Sequence, residues 1–267
     1  MRRLLPLLLP IAACAPRADL RGLPIEQDLA EGRADGTASV DHADWGRVLE
    51  AAVDAPAGLV DYDHVPQADL DAALATYGAV DLGRLPAAEQ EALLINAYNA
   101  FTLQLIVEQP DRPGSIQDLR DPWGERRWTL GGHTVSLDDI EHGLLRPLYK
   151  DPRLHFALNC ASVGCPPLRA TPFEAETLAA QLDAAARETL AQPAWLRADG
   201  RTLYVTKLLD WYGRDFTADG WSPTAESKAA WLATYGPHDV KAAVEAEHGD
   251  PRIVYIDYDW SLNQRRP

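Results

Sequence analysis

Pro86-Ala-Ala-Glu89-Gln-Glu91-Ala-Leu-Leu-Ile-Asn96-Ala-Tyr98-Asn99-Ala-Phe101, continuing apolar to Val107, is the stretch from which the fold is read. Proline suits the first helical position, where its missing N–H costs nothing, and Glu89 and Glu91 complement the positive helix end. The spacing predicts a helix over 86–107. Asn96 and Asn99 interrupt it three residues apart, on one face. A buried amide without partners is costly, so both side chains must bond something: a neighbouring loop tied to the helix, or a catalytic group that they orient.

Towards the N-terminus, Ser39 is the expected cap of a helix with Trp45, Val48, Leu49, Ala52 and Val53 on one face. Leu70, Ala73, Leu74 and Tyr77 mark another over 67–77. Towards the C-terminus, Arg127 to Val135 reads as a hairpin about Gly131-Gly132. Ser136 with Asp139 resembles a capping box opening a helix that carries Glu141, His142 and Arg146. Arg153 to Asn159 is expected as a buried strand, and Thr171 to Glu174 as the start of a helix reaching Leu190. Asp199-Gly200 predicts a second hairpin, helices follow near 225–234 and 239–247, and a last strand runs from Arg252 to Trp260. Helices outnumber strands. The expected class is α+β, a mainly helical domain with a small antiparallel sheet built from hairpins and a C-terminal strand.

Neither a Gly-rich phosphate loop nor a Gly-x-Ser-x-Gly elbow is present, so the chemistry rests on thiol and imidazole. Cys160 and Cys165 lie in Asn159-Cys-Ala-Ser-Val-Gly-Cys165-Pro-Pro, and four readings compete. A disulfide would staple a short loop, worth only about 2 kcal/mol by chain entropy. A nucleophile, with Cys165 better placed than Cys160, needs a nearby cation or helix N-terminus and a histidine within reach. His142 is the expected base, because strand alternation puts His155 on the opposite face from Cys160. Zinc could use both sulfurs with His142 or His155 but lacks a second cysteine pair. Redox exchange normally uses Cys-x-x-Cys, which is absent. No metal and no cofactor is assigned.

His42, His64, His133, His238 and His248 fall near element ends and are expected to be exposed. Asp257 and Asp259 would suit a paired-carboxylate glycosidase but are explained more cheaply as a solvated strand face. The eight tryptophans and nine tyrosines could line a carbohydrate groove, yet their spacing reads mostly as core.

Met1-Arg-Arg, the apolar run to Pro10 and the small residues before Cys14 read as an export signal, too short to span a bilayer. Leu9-Pro-Ile-Ala-Ala-Cys14 resembles the bacterial lipobox, which would make Cys14 an acylated first residue and supply a membrane anchor. The expected layout is a lipoprotein signal peptide over 1–13, a lipid-anchored flexible tether over 14–38 and a single globular domain over 39–267. Removing residues 1–13 takes two arginines and no acidic residue, moving the net charge from −15 to −17. So acidic a chain is not expected to bind nucleic acid. The expected location is the bacterial cell envelope, periplasm-facing.

Four blocks in order, Leu94-Ile-Asn96-Ala-Tyr98-Asn99-Ala, Leu137-Asp-Asp-Ile140-Glu141-His142-Gly-Leu-Leu-Arg146, His155-Phe-Ala-Leu-Asn-Cys160-Ala-Ser-Val-Gly-Cys165-Pro-Pro-Leu and Tyr258-Asp-Trp260-Ser-Leu-Asn263, resemble the domain of unknown function 547 family, as a bacterial lipoprotein-type member. The resemblance brings no settled activity. It implies that Asn96, Asn99, Glu141, His142, Arg146, Cys160 and Cys165 stand in the family's motif positions. Intracellular relatives, where thiols stay reduced, weigh against a purely structural bridge. The expectation is a cysteine-dependent hydrolase or acyl transferase acting on an amide or ester, peptidase-like, with Cys165 as nucleophile, His142 as base and Glu141 or Asn96 orienting it, supported by Asn99, Arg146 and His155. The alternative is a non-enzymatic binding or scaffold domain stapled by Cys160 and Cys165.

Overall fold

The computed structural model describes residues 23–55 and 57–265. In chain order it contains helices α1 (Ile25–Asp35) and α2 (Ala43–Ala52), the short pair β1 (Val53–Asp54) and β2 (Leu59–Val60), and helices α3 (Gln67–Ala79) and α4 (Ala87–Val107). The hairpin β3 (Trp128–Leu130) and β4 (His133–Val135) follows, then α5 (Arg146–Tyr149) and α6 (Leu178–Leu190). Strands β5 (Leu196–Asp199) and β6 (Thr202–Val205), helices α7 (Leu208–Trp211), α8 (Lys228–Tyr235) and α9 (His238–Ala246), and β7 (Arg252–Tyr255) complete the described part. The class is α+β, mainly helical with small sheets, as expected.

Pro86 caps α4, and nearly every residue from Ala92 to Ile106 is buried. A helix apolar all round must be enclosed on all sides. Here α1, α3, the π-helical turn Asp139–Leu145 and the 3-10 turn Ala175–Thr177 all pack on α4. A second apolar cluster joins the end of α6 to β5, β6, α7, α8 and α9 around Trp231 and Phe216. In the three-stranded sheet, β6 pairs antiparallel with β5 and parallel with β7, so the C-terminal strand enters alongside the hairpin in the parallel sense. The Gly131-Gly132 turn is as expected, with both glycines at positive φ.

Several expectations need correction. Residues 25–35, assigned to the tether, form α1, whose Ile25 and Leu29 are buried; two apolar positions a turn apart were enough to dock so short a helix. Residues 1–13 and Cys14 lie outside the described residues. Helix α2 begins at Ala43 with His42 before it, not at a Ser39 cap. The segment after Thr171 stays extended to Glu174 before the 3-10 turn leads into α6. The last strand ends at Tyr255, short of Trp260.

The most consequential correction concerns the expected strand over 153–159. Pro152–Phe156 is instead a 3-10 helix: the Asp151 side chain accepts from the Arg153 N–H, and Pro152 occupies the first helical position. Leu154 then enters the α4 core, while Phe156 enters the second cluster. His155 is left between them, stacked on Tyr212 at a centroid distance of 4.0 Å.

Candidate functional site

Asn99, on α4, donates from Nδ2 to the Ala157 carbonyl (2.9 Å) and accepts from the Asn159 N–H (2.8 Å). Its amide therefore fixes the chain just before the cysteine loop. Asn159 in turn donates to the Pro166 carbonyl (2.8 Å) and accepts from the Ala161 N–H (2.9 Å), which holds Ala161 in the left-handed conformation at φ 62°. Asn96 does the same for another loop, donating to the Phe173 carbonyl and accepting from the Phe173 N–H. With both its polar atoms engaged by Phe173, Asn96 is a loop tie and does not orient a base.

Inside this frame Cys160 and Cys165 are joined by a disulfide, with Cα atoms 6.2 Å apart. The Cys160 N–H lies 2.9 Å from the Cys165 sulfur. The Tyr258 hydroxyl lies 3.0 Å from Cys165 Sγ and 3.2 Å from Cys160 Sγ. Tyr258 arrives on a C-terminal strap laid across the loop: Val163 and Gly164 donate to the carbonyls of Ser261 and Asp259, and the Asn263 N–H donates to Ala161. Gly164 is required here, because a Cβ would sit 2.9 Å from the Asp259 nitrogen.

The bridge forms one wall of a cleft whose other walls are Tyr98, Trp123, Trp211, Tyr212, Tyr258 and Trp260, with Glu141 and His155 also lining it. Its free volume is 40 Å³, room for about three waters at roughly 10–15 Å³ each. A larger cavity, 540 Å³, is lined by Pro167, Leu168, Arg169 and α6, but it gathers no comparable set of buried ionisable groups. The cleft over the bridge is therefore the better site.

Glu141, His142 and Arg146 stand on the π-helical turn and the helix it feeds, opened by the expected reciprocal bonds between Ser136 and Asp139. The Arg146 N–H reaches back five residues to the Glu141 carbonyl, the wider turn that marks π geometry. Arg146 binds Asp215 through Nε (2.8 Å) and Nη2 (3.0 Å), and His155 Nε2 lies 2.8 Å from the same carboxylate. Burial pushes His155 down from its ordinary value, against the pull of Asp215. For Asp215 burial pushes upward, but the bonds from His155 and Arg146 outweigh it and hold the carboxyl below its usual range. Glu141 is also buried, and there too the upward push of burial is outweighed, by His142, His155, Arg146 and a bond from Tyr212.

The geometry does not bring His142 to the sulfurs as the expected base. Arg146 Nη1 lies 3.2 Å from His142 Nδ1, and a guanidinium only donates, so Nδ1 is the accepting nitrogen and the ring proton belongs on Nε2. Its lone pair is thus engaged, and His142 is not among the residues lining the cleft. Glu141 does not orient it either: its Oε1 lies 3.8 Å from that same accepting nitrogen. His155, placed by strand alternation away from Cys160, lines the same cleft as both sulfurs because the segment is a 3-10 turn. With its sulfur bonded to Cys160, Cys165 carries no thiolate for attack or for a metal in this state.

Sequence reasoning missed Asp215 and Tyr212 and read the tryptophans mostly as core. Trp45, Trp128 and Trp231 are core, but Trp123, Trp195, Trp211, Trp221 and Trp260 are half-buried and line clefts. Among the histidines expected to be exposed, His42 is buried against Tyr77, and burial lowers it to about 4.

No curated protein and no solved structure matches this chain. Residues 82–190, which carry the asparagine ties, the π-helical turn, His155 and both bridged cysteines but not the Tyr258–Asn263 block, form a domain matching the family described as "Protein of unknown function, DUF547".

Proposed function

We propose that this chain is an exported, lipid-anchored envelope domain that binds a small ligand group in the cleft over the Cys160–Cys165 bridge. The observation that carries the reading is the joining of the two sulfurs: the residue expected to attack is instead a wall of an aromatic cleft with a buried carboxylate at its side. The disulfide also supports an oxidising, exported setting, and the lipobox-like Leu9 to Cys14 supports the anchor. The cleft's small volume suits a headgroup or side group of a larger molecule.

A second reading, the cysteine hydrolase or acyl transferase, is favoured by one observation. His155, paired with Asp215, lines the same cleft as the sulfurs, so reduction would bring a thiol and an imidazole base to one place. In that reading His155 replaces His142. Turnover of p-nitrophenyl acetate separates the two. The binding reading expects the wild-type chain, with or without a reductant, to release p-nitrophenol no faster than the Cys160→Ser/Cys165→Ser variant. A burst or a reductant-dependent rate lost in that variant would install the hydrolase instead.

A further inference from the structure

Trp260 is the hub of the cleft's aromatic wall. Its ring centroid lies 4.5 Å from that of Tyr258, 5.8 Å from Trp211 and 6.1 Å from Trp123. Four electron-rich rings thus gather at one small opening. Aromatic faces attract cations through their quadrupole, most strongly where water is excluded, and cages of this composition are how alkylated ammonium groups are recognised.

The ionic groups behind the wall lean the same way. Within the set Glu141, His142, Arg146, His155 and Asp215, Arg146 is the one permanent cation against two carboxylates, and it is committed to Asp215 by two bonds. Among the described residues lining the cleft there is neither a lysine nor an arginine. Glu141 lines the cleft, and Arg146, the permanent cation near it, gives its Nε and Nη2 hydrogen bonds to Asp215. A carboxylate lining a cleft of 40 Å³ beside these packed rings matches a weakly hydrated cation better than a neutral or anionic group.

We propose that the cleft receives a quaternary or alkylated ammonium group, held by Trp123, Trp211, Tyr258 and Trp260 with Glu141 as its counter-charge. This deepens the binding reading given above by naming the ligand class. Inorganic cations would need more oxygen donors than one carboxylate supplies.

The test titrates the full chain with choline chloride and, separately, with its neutral isostere 3,3-dimethylbutan-1-ol, at constant ionic strength, by calorimetry and tryptophan fluorescence. Choline is expected to bind saturably and at least about tenfold tighter than the isostere. Trp260→Leu and Glu141→Gln should each weaken choline by about tenfold. Trp260→Leu, at a half-buried position, guards against loss of fold in the buried Glu141 variant, and circular dichroism checks both. A further arm compares phosphatidylcholine with phosphatidylglycerol vesicles: capture by the former supports a lipid headgroup as source, while free choline binding without capture supports a soluble one. Equal affinity for isostere and choline would overturn the cation assignment while keeping a binding cleft. No saturable choline signal in any arm would overturn it outright, and p-nitrophenyl acetate turnover judges the underlying reading independently.

Discussion

Replacing Asn99 by leucine keeps α4 apolar but leaves the Ala157 carbonyl and the Asn159 N–H buried without their partner. Unsatisfied buried groups cost about 1–3 kcal/mol each, so the variant should lose about 2–4 kcal/mol in urea unfolding. A loss under 1 kcal/mol would mean that the loop relaxes onto water and that the tie is dispensable. That both asparagines need partners is legible in the sequence, because an amide in a helix buried all round has no other option. Which partners they take is not legible, since these lie 58–77 residues away and are backbone atoms without a signature. His142 and His155 show the same limit from the other side. Side-chain type marks both as bases, but only the position of Arg146 decides that one lone pair is engaged, and only Asp215 decides that the other ring is held in place.

At the scale of elements, periodicity located α3, α4 and the Gly131-Gly132 hairpin because their apolar patterns continue over several turns or end in a demanding turn. It failed at 153–159, where alternation of apolar residues mimics a strand. The signal that could have corrected it is Asp151-Pro152, a cap followed by a first-turn proline, as in the reading of Pro86. A neighbouring element carries a pH-dependent load: Glu91 of α4 is largely buried, its Oε1 is without a hydrogen-bond partner, and burial with the nearby Asp151 raises it from 4.5 to about 8, against Arg153. A carboxyl raised on folding binds its proton more tightly in the native state. Its contribution is fully present below pH 4.5 and is lost as pH rises through about 8. Glu91→Gln should therefore match the wild type near pH 4.5 and exceed its stability at pH 9, by on the order of 3 kcal/mol. Thermal melts across that range check the sign; a variant less stable than wild type at pH 9 would contradict it.

Across the whole molecule the cleft is assembled from pieces far apart in the chain: Tyr98 from α4, Glu141 from the π-helical turn, His155 from the 3-10 turn, Trp211 from α7 and the Tyr258–Trp260 strap. Local pattern could name members of this set but not their convergence, which arises because the 3-10 turn sends Leu154 and Phe156 into different apolar clusters and the strap after β7 is hydrogen-bonded across the cysteine loop. The tryptophans illustrate the cost: by spacing they read as core, yet five of the eight end at cleft edges. Everything proposed for the site depends on Cys160 and Cys165 being joined. Trypsin cuts after Arg153 and Arg169, so one peptide, 154–169, contains both cysteines. Mapping the protein under non-reducing conditions after iodoacetamide is the most direct measurement. The bridge predicts that this peptide appears unalkylated and two hydrogens lighter than its reduced form, becoming doubly alkylated only after reduction. A peptide alkylated at Cys165 in the native, unreduced protein would contradict it.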